Sequence, residues 1–337
     1  MVNKIVITGL GMINPLGHTC LEVYNAYQDK TNSINQGISH YDPTNHFEKK
    51  EINRLDSFSQ YAIVAANEAI EQAKLSNYEG SMEEISVIIG ASGNGADRFL
   101  QENHELLIER GPKRISPYYS SAAMINSPPA EIALKNGFQG PSAAVLAGEA
   151  SGLLALGQAV NYIQNGSCTI AIAGGTQGDI SLLTETGYEK SAIISEYPHH
   201  PLNPGAGAVV IETEKEARRR GAEPLGEVIS FSMSTVSDEA EIKEVVIDAL
   251  AEANIETHMV DLIGVAEETD VVTSIFKQDI AVLSLKESMG NMLAASGVNQ
   301  VILSLLSLKE TGKKEAIGLV NSIDPAGHFG CLIIKVV

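Results

Sequence analysis

One stretch of the sequence carries the residue types and spacing of a nucleophile site. Gly140-Pro141-Ser142 leads into the apolar run Ala143–Ala147, and Gly148-Glu149-Ala150-Ser151-Gly152 then precedes a long apolar segment, Leu153 to Gln164. A strand that enters a tight Gly/Ser turn and leaves it as a helix aims one side chain into a cleft, where the helix N-terminus stabilises negative charge. The residue aimed here is Glu149, a carboxylate. The sequence therefore predicts the framework of a nucleophilic enzyme without its nucleophile.

Composition limits the classes of protein to which the chain could belong. Its 337 residues are 44% hydrophobic, enough to bury a large core in one or two domains. The three cysteines, Cys20, Cys168 and Cys331, fit neither a disulfide framework nor a zinc site, so we expect a reducing cytoplasm. Because a strand-like KIVIT run lies near the start, we expect no signal peptide, and no apolar run reaches membrane-spanning length. A net charge of −19 argues against nucleic acid or an anionic membrane as a partner.

The order of the predicted elements repeats along the chain. VITGLG corresponds to VISFSM, SVIIGAS to LIGVAEE, and AAVLAG to AVLSLK, and each third strand leads into a long helix rich in small residues. Strands this apolar are buried on both faces, so helices must cover both sides of each sheet. We therefore expect an α/β protein of two fused halves, residues 1–223 and 224–337, with a cleft between them. In this interpretation Glu149 and the turn at Gly290-Asn291 occupy equivalent places, and the second of these opens a helix over 290–306.

Several long segments resemble the β-ketoacyl synthases of the thiolase fold. They are the opening VITGLGMINPLG, RLDSFSQYAIVAANEAI at 54–70, RISPYYSSAAMINSPPAEIALKNGFQGPS at 114–142, SGLLALGQAVNYIQNGSCTIAIAGGTQ at 151–177, GAGAVVIETEKEARRRGA at 205–222 and KESMGNMLAASG at 286–297. Together they extend over nearly the whole chain. The resemblance implies a thiolase-like fold with αβαβα layers.

The resemblance also implies which residues stand at the catalytic positions. Active members use a cysteine at the turn and two histidines from the second half. The cysteine position is Glu149 here, the first histidine position is Ala266 (or Glu267 if the alignment slips by one), and the second is Asn291. Only the family's lysine is retained, as Lys286. We therefore expect no catalytic residues and no condensation, and we expect no cofactor and no metal.

Other departures from the family lie around the mouth of the site. The Arg-Asp-Gly loop is reduced to HHPLNPGAG at 199–207, and adjacent histidines on such a Pro-rich loop suit a solvated loop better than a metal site. The family's C-terminal Gly-Phe-Gly-Gly segment, called the gate here, is replaced in this sequence by Asp324-Pro325-Ala326-Gly327. Segments after Ser234 and Lys309 that help to wall the family's acyl site look deleted.

The chain is most similar to the chain length factors of bacterial type II polyketide synthases. These ketosynthase homologues lack the nucleophile and form a heterodimer with an active ketosynthase, with the polyketide in a tunnel at the interface. By resemblance, the interface elements are Ala143–Ala147 and the segment 120–131. The residues expected at the tunnel or interface are Tyr118, Met124, Ile125, Ser127, Ala144 and Leu146. An acyl carrier protein is acidic, so we expect it to dock mainly on the ketosynthase and not on this chain.

Alternatives stay open at the level of sequence. Glu149 could be a plain carboxylate at a helix N-terminus, a side chain reaching into the heterodimer interface, or a catalytic acid or base. The catalytic role is the least favoured, because a lone carboxylate without a partner is weak evidence for a catalytic acid or base. The whole chain could instead be a homodimeric acyl-thioester hydrolase or decarboxylase that uses Glu149, or a stand-alone acyl-binding protein.

Overall fold

A computed structural model describes residues 4–31, 37–93, 95–192, 200–265, 270–276 and 280–337. Its helices and strands fall into two runs along the chain. The first run is β1 (Ile5–Ile13), α1 (Cys20–Gln28), α2 (Lys49–Ile52), α3 (Ser57–Gln72), β2 (Ile85–Ala91), α4 (Asp97–Arg110), α5 (Tyr119–Ala123), α6 (Ser127–Asn136), β3 (Ser142–Val145), α7 (Ser151–Gln164), β4 (Ile170–Gln177), α8 (Leu182–Ala192), β5 (Gly205–Thr213) and α9 (Glu214–Arg220). The second run is β6 (Gly226–Thr235), α10 (Glu239–Ala253), β7 (Leu262–Val265), α11 (Asp270–Thr273), β8 (Ala281–Ser284), α12 (Lys286–Met289), α13 (Ser296–Glu310), β9 (Ile317–Ile323) and β10 (His328–Val336).

The strands of the described residues form one sheet in the order β3-β2-β4-β5-β1-β6-β10-β9-β7-β8. Strands β3, β2 and β4 are parallel, and β5 and β1 continue the sheet antiparallel. The second half repeats this pattern, with β8, β7 and β9 parallel and β10 and β6 antiparallel. Counted from its own first strand, each half therefore has the order 3-2-4-5-1. The expectation of two fused, pseudo-repeated α/β halves is confirmed.

The two halves join through a short antiparallel pairing of their first strands. Ile5 lies opposite Val228, and Ile7 lies opposite Gly226. Because only this short stretch is paired, the sheet can turn at the junction and enclose helices between its halves.

Three buried clusters show how the layers stack. On the outer face of the first half, α3 packs residues such as Ile63 and Ala66 against the sheet. On the outer face of the second half, α10 does the same with Val246. Between the halves, α7 and α13 share one core, which includes Leu153 and Val298, and they contact strands of both halves. This is the expected αβαβα arrangement. None of the described helices combines the length and apolar character needed to cross a membrane.

The structure departs from the sequence-based expectation in a few elements. Helices α4 and α8 were not predicted, because α4 buries only Asp97 and Asn103 and so lacks a strong apolar stripe. The single helix expected over 290–306 is instead a short 3₁₀ turn followed by α13, which begins at Ser296. Strand β3 ends at Val145, two residues earlier than expected.

A buried ion pair fixes the last helix of the first half. The basic run 218–220 forms the last turn of α9, and Arg220 turns inward. The Arg220 guanidinium donates to both carboxylate oxygens of Glu212 on β5 and to the Ala73 carbonyl at the end of α3. Both side chains of the ion pair are buried, and the Thr8 hydroxyl also donates to Glu212. One arginine therefore ties α9 to β5 and α3.

We expect Arg220→Met to lower the free energy of unfolding by roughly 3–5 kcal/mol, because it leaves Glu212 charged and buried without its partner. Arg218, two residues earlier in the same helix, pairs with Glu214 at the surface with 76% of its side chain exposed. As a matched control, Arg218→Met should change the free energy by less than about 0.5 kcal/mol. Urea unfolding monitored by circular dichroism measures both. Equal losses for the two variants would contradict the structural role of Arg220.

Candidate functional site

The expected tight turn forms between β3 and α7. Gly148 has φ +53°, and a 3₁₀ turn over Gly148–Ala150 leads directly into the helix at Ser151. The Ser151 hydroxyl accepts from the Ala147 N–H at 2.8 Å and donates to the Gly148 carbonyl at 2.6 Å. A Cβ on Gly148 would lie 2.3 Å from Asp324 Oδ2, so only glycine fits both the φ angle and the space. The turn is therefore held rigidly and presents the next residue, Glu149.

The Glu149 side chain turns to a buried lysine. Lys286 Nζ, at the start of α12, donates to Glu149 Oε2 at 2.9 Å. Only 4% of the lysine side chain and 9% of the glutamate side chain are exposed. Two opposite charges at this distance and depth form a strong charge-assisted hydrogen bond, and each charge makes the burial of the other tolerable.

This contact corrects one premise of the sequence analysis. Glu149 is not a lone carboxylate, because Lys286 is its partner across 137 residues of chain. The carboxylate also faces inward to the second half of its own chain. The position expected for a nucleophile is thus occupied by one half of a buried ion pair.

Asn291 lies on the same side of the molecule and is fully buried. Its Nδ2 donates to the Tyr188 hydroxyl of α8 at 2.8 Å, and its Oδ1 accepts from the Leu293 N–H at 2.8 Å. The Asn291 backbone also bonds to Pro201 and Asn203. The asparagine therefore fastens the turn before α13 to α8 and to the loop before β5. Ala266 and Glu267, the two options for the other histidine position, lie outside the described residues.

The internal repeat differs from the one expected around Asn291. In the second half a 3₁₀ turn over Leu293–Ala295 leads into α13 at Ser296, whose hydroxyl accepts from the backbone N–H of Met292 as that of Ser151 does from Ala147. Leu293 has a positive φ of +44°, like Gly148 in the first half. The equivalent of Glu149 is therefore Ala294, three residues after Asn291, and the expected equivalence with Gly290-Asn291 is wrong.

A cleft of about 900 Å³ opens over the Glu149 turn. Its walls come from α4, α8, the 3₁₀ turn before α13 and the turn at 324–325. Many of the side chains that line it are apolar, namely Leu100, Tyr119, Leu183, Tyr188, Leu202, Leu293 and Pro325. Gly148, Glu149 and Asp324 form part of its floor. A cleft of this size and lining, with a few polar groups, is typical of a small-molecule site.

Asp324 stands at the first position of the altered gate and is held in place. Its Oδ1 accepts from the His328 N–H at 2.9 Å and lies 2.9 Å from His328 Nδ1, while its own N–H donates to the His328 carbonyl. The carboxylate thereby closes the hairpin before β10 and packs against Gly148. The aspartate thus helps to fix the shape of this turn.

Comparison with known proteins assigns the family. Residues 24–217 match the model of the β-ketoacyl synthase N-terminal domain, and residues 211–314 match that of the C-terminal domain. This chain belongs to the β-ketoacyl synthase family. Among its curated relatives, the 3-oxoacyl-[acyl-carrier-protein] synthase 2 of Synechocystis sp. is 27% identical, covering 94% of this chain and 88% of the relative. The enzyme of the same description from Staphylococcus aureus is 26% identical, covering 91% and 86%.

Solved structures of the family share the whole fold. The ishigamide ketosynthase/chain length factor superposes with a TM-score of 0.90 at 17% identity and covers all of both chains. A ketosynthase bound to a hexaketide, in complex with its type II polyketide acyl-carrier protein, gives 0.88 at 21% identity, covering 99% of this chain and 100% of that one. A β-ketoacyl synthase from Burkholderia phymatum gives 0.86 at 18%, with the same coverage. At these identities the likeness establishes the thiolase-like fold.

In this member of the β-ketoacyl synthase family, the residues expected at an interface have different exposures. Tyr118, Met124 and Leu146 are exposed, by 40%, 54% and 54%. Ala144 is partly buried on β3, the edge strand of the sheet. These four suit contact with another chain, and their role stays a prediction.

The other two expected interface residues face the protein interior. Ile125 packs partly against the small cluster around Phe58. Ser127 is buried, and its hydroxyl accepts from the Ser59 hydroxyl at 3.2 Å. In the single chain these two are therefore less available to a partner than Met124 beside them.

Sequence reasoning missed Tyr188 and the Asp324–His328 contact as parts of the site. Tyr188 lies on the unpredicted helix α8, and nothing in the surrounding sequence marks it. Asp324 was noted only as a departure from the family gate. Both depend on chain segments that meet only in the folded protein.

We expect Lys286→Met to destabilise the protein by roughly 3–5 kcal/mol, because the buried Glu149 carboxylate then loses its ion pair with the Lys286 ammonium. The double variant Glu149→Gln/Lys286→Met should recover most of that loss, since neither side chain then carries a charge. Thermal and urea unfolding of the four proteins of this double-mutant cycle measure the coupling. Additive single losses would show that the two side chains are not paired.

Proposed function

We propose that the chain is a non-catalytic ketosynthase-like subunit, a chain length factor, that pairs with an active ketosynthase and shapes the tunnel for its polyketide. The observation that carries the proposal is the Glu149–Lys286 pair at the nucleophile turn. By resemblance, Glu149 takes the position of the acylated cysteine. A carboxylate committed to an ion pair is a poor substitute for a thiolate, because its charge is already neutralised by Lys286.

The polar group at the second histidine position supports the same proposal. Asn291 has an amide side chain, which neither accepts nor releases a proton near neutral pH as an imidazole does. Its amide is engaged by Tyr188 and Leu293, so it serves the local fold. An amide can still donate hydrogen bonds, and one of the two Asn291 Nδ2 hydrogens is bonded to the Tyr188 hydroxyl. Condensation chemistry is therefore assigned to a partner.

The edge strand β3 supports a partner subunit. It lies at the end of the ten-stranded sheet with one edge unpaired in the described structure, and Leu146 just beyond it is exposed. An exposed edge with apolar side chains invites pairing with another strand. Met124 and Tyr118 add exposed apolar area from the α5 segment. In the proposed heterodimer this surface covers the partner's tunnel.

The acidic character of the chain suggests which of the two subunits binds the acyl carrier protein. With a net charge of −19, the chain repels another acidic protein at long range. We propose that the carrier docks mainly on the ketosynthase subunit. Chemical cross-linking that placed the carrier chiefly on this chain would contradict that part of the proposal.

The test is native mass spectrometry of the tagged chain expressed with its neighbouring genes. We expect a one-to-one complex with a larger ketosynthase that carries an intact cysteine. Leu146→Asp should weaken this complex by at least tenfold, because it places a charge in the apolar interface (roughly 1.4 kcal/mol or more). Ile247→Asp, at a residue of similar exposure (53%) on the outer helix α10, is the matched control and should leave the complex intact.

A homodimer that recruits no ketosynthase would overturn the proposal. It would favour the alternative of a hydrolase or decarboxylase that uses Glu149. Loss of the complex with Ile247→Asp as well as with Leu146→Asp would place the interface elsewhere.

A further inference from the structure

A second pocket, of about 550 Å³, lies at the end of the sheet opposite the Glu149 cleft. Strands β1 and β2 both begin at this end, and Ile5 of β1 lies opposite Thr213 at the end of β5. The cleft instead adjoins Ser92, just after the far end of β2. The starts of β1 and β6, the end of β10 and the loop at 311–315 after α13 bound the pocket. Strands from both halves of the chain therefore meet around it.

The pocket concentrates basic side chains in a strongly acidic protein. Five of the chain's 23 lysine and arginine residues line it, together with three glutamates, although the whole chain carries a net charge of −19. The five lysines come from three separate segments of the chain, namely Lys4, the group Lys309, Lys313 and Lys314, and Lys335. The folding of the chain, and not a single basic run, therefore brings these charges together.

The three glutamates of the pocket are each paired with a cation. Glu227 has 10% of its side chain exposed, and its Oε2 lies 3.5 Å from Lys4 Nζ and 3.3 Å from Lys335 Nζ. Glu315 Oε1 lies 3.5 Å from Lys335 Nζ, and Glu214 pairs with an arginine of α9. The carboxylates are therefore engaged by cations already present, and Glu227 fixes the lysines of β1 and β10 beside each other.

Two lysines at the end of α13 and in the loop after it have no such partner. Lys313 donates to Asp261 at 2.6 Å, but neither Lys309 nor Lys314 forms an ion pair with any residue in the described part of the chain. The loop is held by Thr311, whose hydroxyl donates to the last turn of α13 at 2.7 Å and accepts from the Lys313 N–H at 3.2 Å. The ammonium groups of these two exposed lysines can therefore bind an anion from outside the chain.

Phosphate groups suit this arrangement of ammonium groups. A lysine ammonium is a compact point charge with three donors, and it forms strong charge-assisted hydrogen bonds with phosphate oxygens. A chain of linked phosphates offers negative charge to lysines of several segments at once, whereas a single phosphate has one group to share among them. The pocket also has an apolar part that could contact an organic group, formed by Val6, Pro224, Val336 and Val337.

We propose that this pocket binds a small molecule with two or more linked phosphate groups, and that Lys309 and Lys314 supply the charge that holds it. The site is separate from the Glu149 cleft and from the edge strand β3, so the inference does not depend on the proposed function. Because both halves of the chain form the pocket, the bound molecule should also stabilise the fold.

The test is isothermal titration calorimetry of the full chain with tripolyphosphate, ATP and orthophosphate, without metal ions and at one fixed ionic strength. We expect tripolyphosphate or ATP to bind at least about tenfold more tightly than orthophosphate, because the linked phosphates reach more lysines. Tighter binding of ATP than of tripolyphosphate would identify a nucleotide that uses the apolar part of the pocket. The reverse order would identify an inorganic polyphosphate.

Charge variants identify the groups that bind the phosphates. Lys309→Gln/Lys314→Gln should weaken the tighter of the two probes by at least about tenfold, whereas Lys309→Arg/Lys314→Arg keeps both charges and should stay within about threefold of the unmodified chain. Lys49 and Lys50 of α2 are likewise exposed and form no ion pair with a described residue. As a matched control, Lys49→Gln/Lys50→Gln should change the dissociation constant by less than about twofold.

The inference would be overturned if neither tripolyphosphate nor ATP bound saturably, or if orthophosphate bound as tightly as both. It would also be overturned if Lys309→Gln/Lys314→Gln bound as tightly as the unmodified chain, or if the control variant lost as much affinity, because only the net charge would then matter. Loss of the ketosynthase complex in Lys309→Gln/Lys314→Gln, without phosphate binding by the unmodified chain, would assign the surface to a protein partner. The native mass of that complex and its response to Leu146→Asp test the proposed function independently.

Discussion

The site depends on a close contact between the first turns of the two central helices. Gly152 at the start of α7 and Gly175 on β4 both lie against the carbonyl of Ala294, and a Cβ on either would come within 2.3 Å of that oxygen. Because neither residue has a side chain, the turns before α7 and α13 can abut. The two halves of the chain therefore meet at the point where the first half presents Glu149. This contact places the tight turn before α7 beside the second half of the chain, where the cleft opens and Lys286 meets Glu149.

At the point where the two halves meet, an ion pair stands at the position expected for a nucleophile. Lys286 comes from the second half and Glu149 from the first, and neither side chain is exposed enough to be stabilised by water. The ion pair therefore helps each side chain to keep its charge in the interior. In a family whose active members need a thiolate at this turn, the same rigid backbone here carries a neutralised pair. This explains how the whole fold persists while the residue types at the site change.

Much of the fold could be predicted from the sequence because it follows from local periodicity. The apolar strands and the helices α3, α7, α10 and α13 have buried faces, and their repeated order reveals the two halves. Helices α4 and α8 could not be predicted in this way, because they lie at the surface around the cleft and few of their side chains are buried. The contact of Glu149 with Lys286 could not be predicted, since 137 residues separate them and only the packing of α7 against α13 brings them together.

The internal equivalence was misassigned for a physical reason. The letters Gly290-Asn291 look like a turn that should match the turn before α7, whereas the backbone turn that does match it begins at Leu293. A leucine with positive φ is uncommon, so its sequence gives no sign of the conformation it adopts. Likewise, the family resemblance identified Glu149 as the altered residue but could not reveal that its charge is neutralised.

The most direct measurement is the alkylation of the folded Glu149→Cys variant by iodoacetamide, followed by intact mass spectrometry. Cys20, Cys168 and Cys331 are buried, and burial raises the pKa of each thiol, so the unmodified chain should remain unlabelled. A thiol introduced at the elbow would face the cleft beside Lys286, whose charge favours the thiolate. The account predicts rapid addition of a single label at position 149. A folded variant that takes up no label, or one labelled no faster than the unmodified chain, would contradict it.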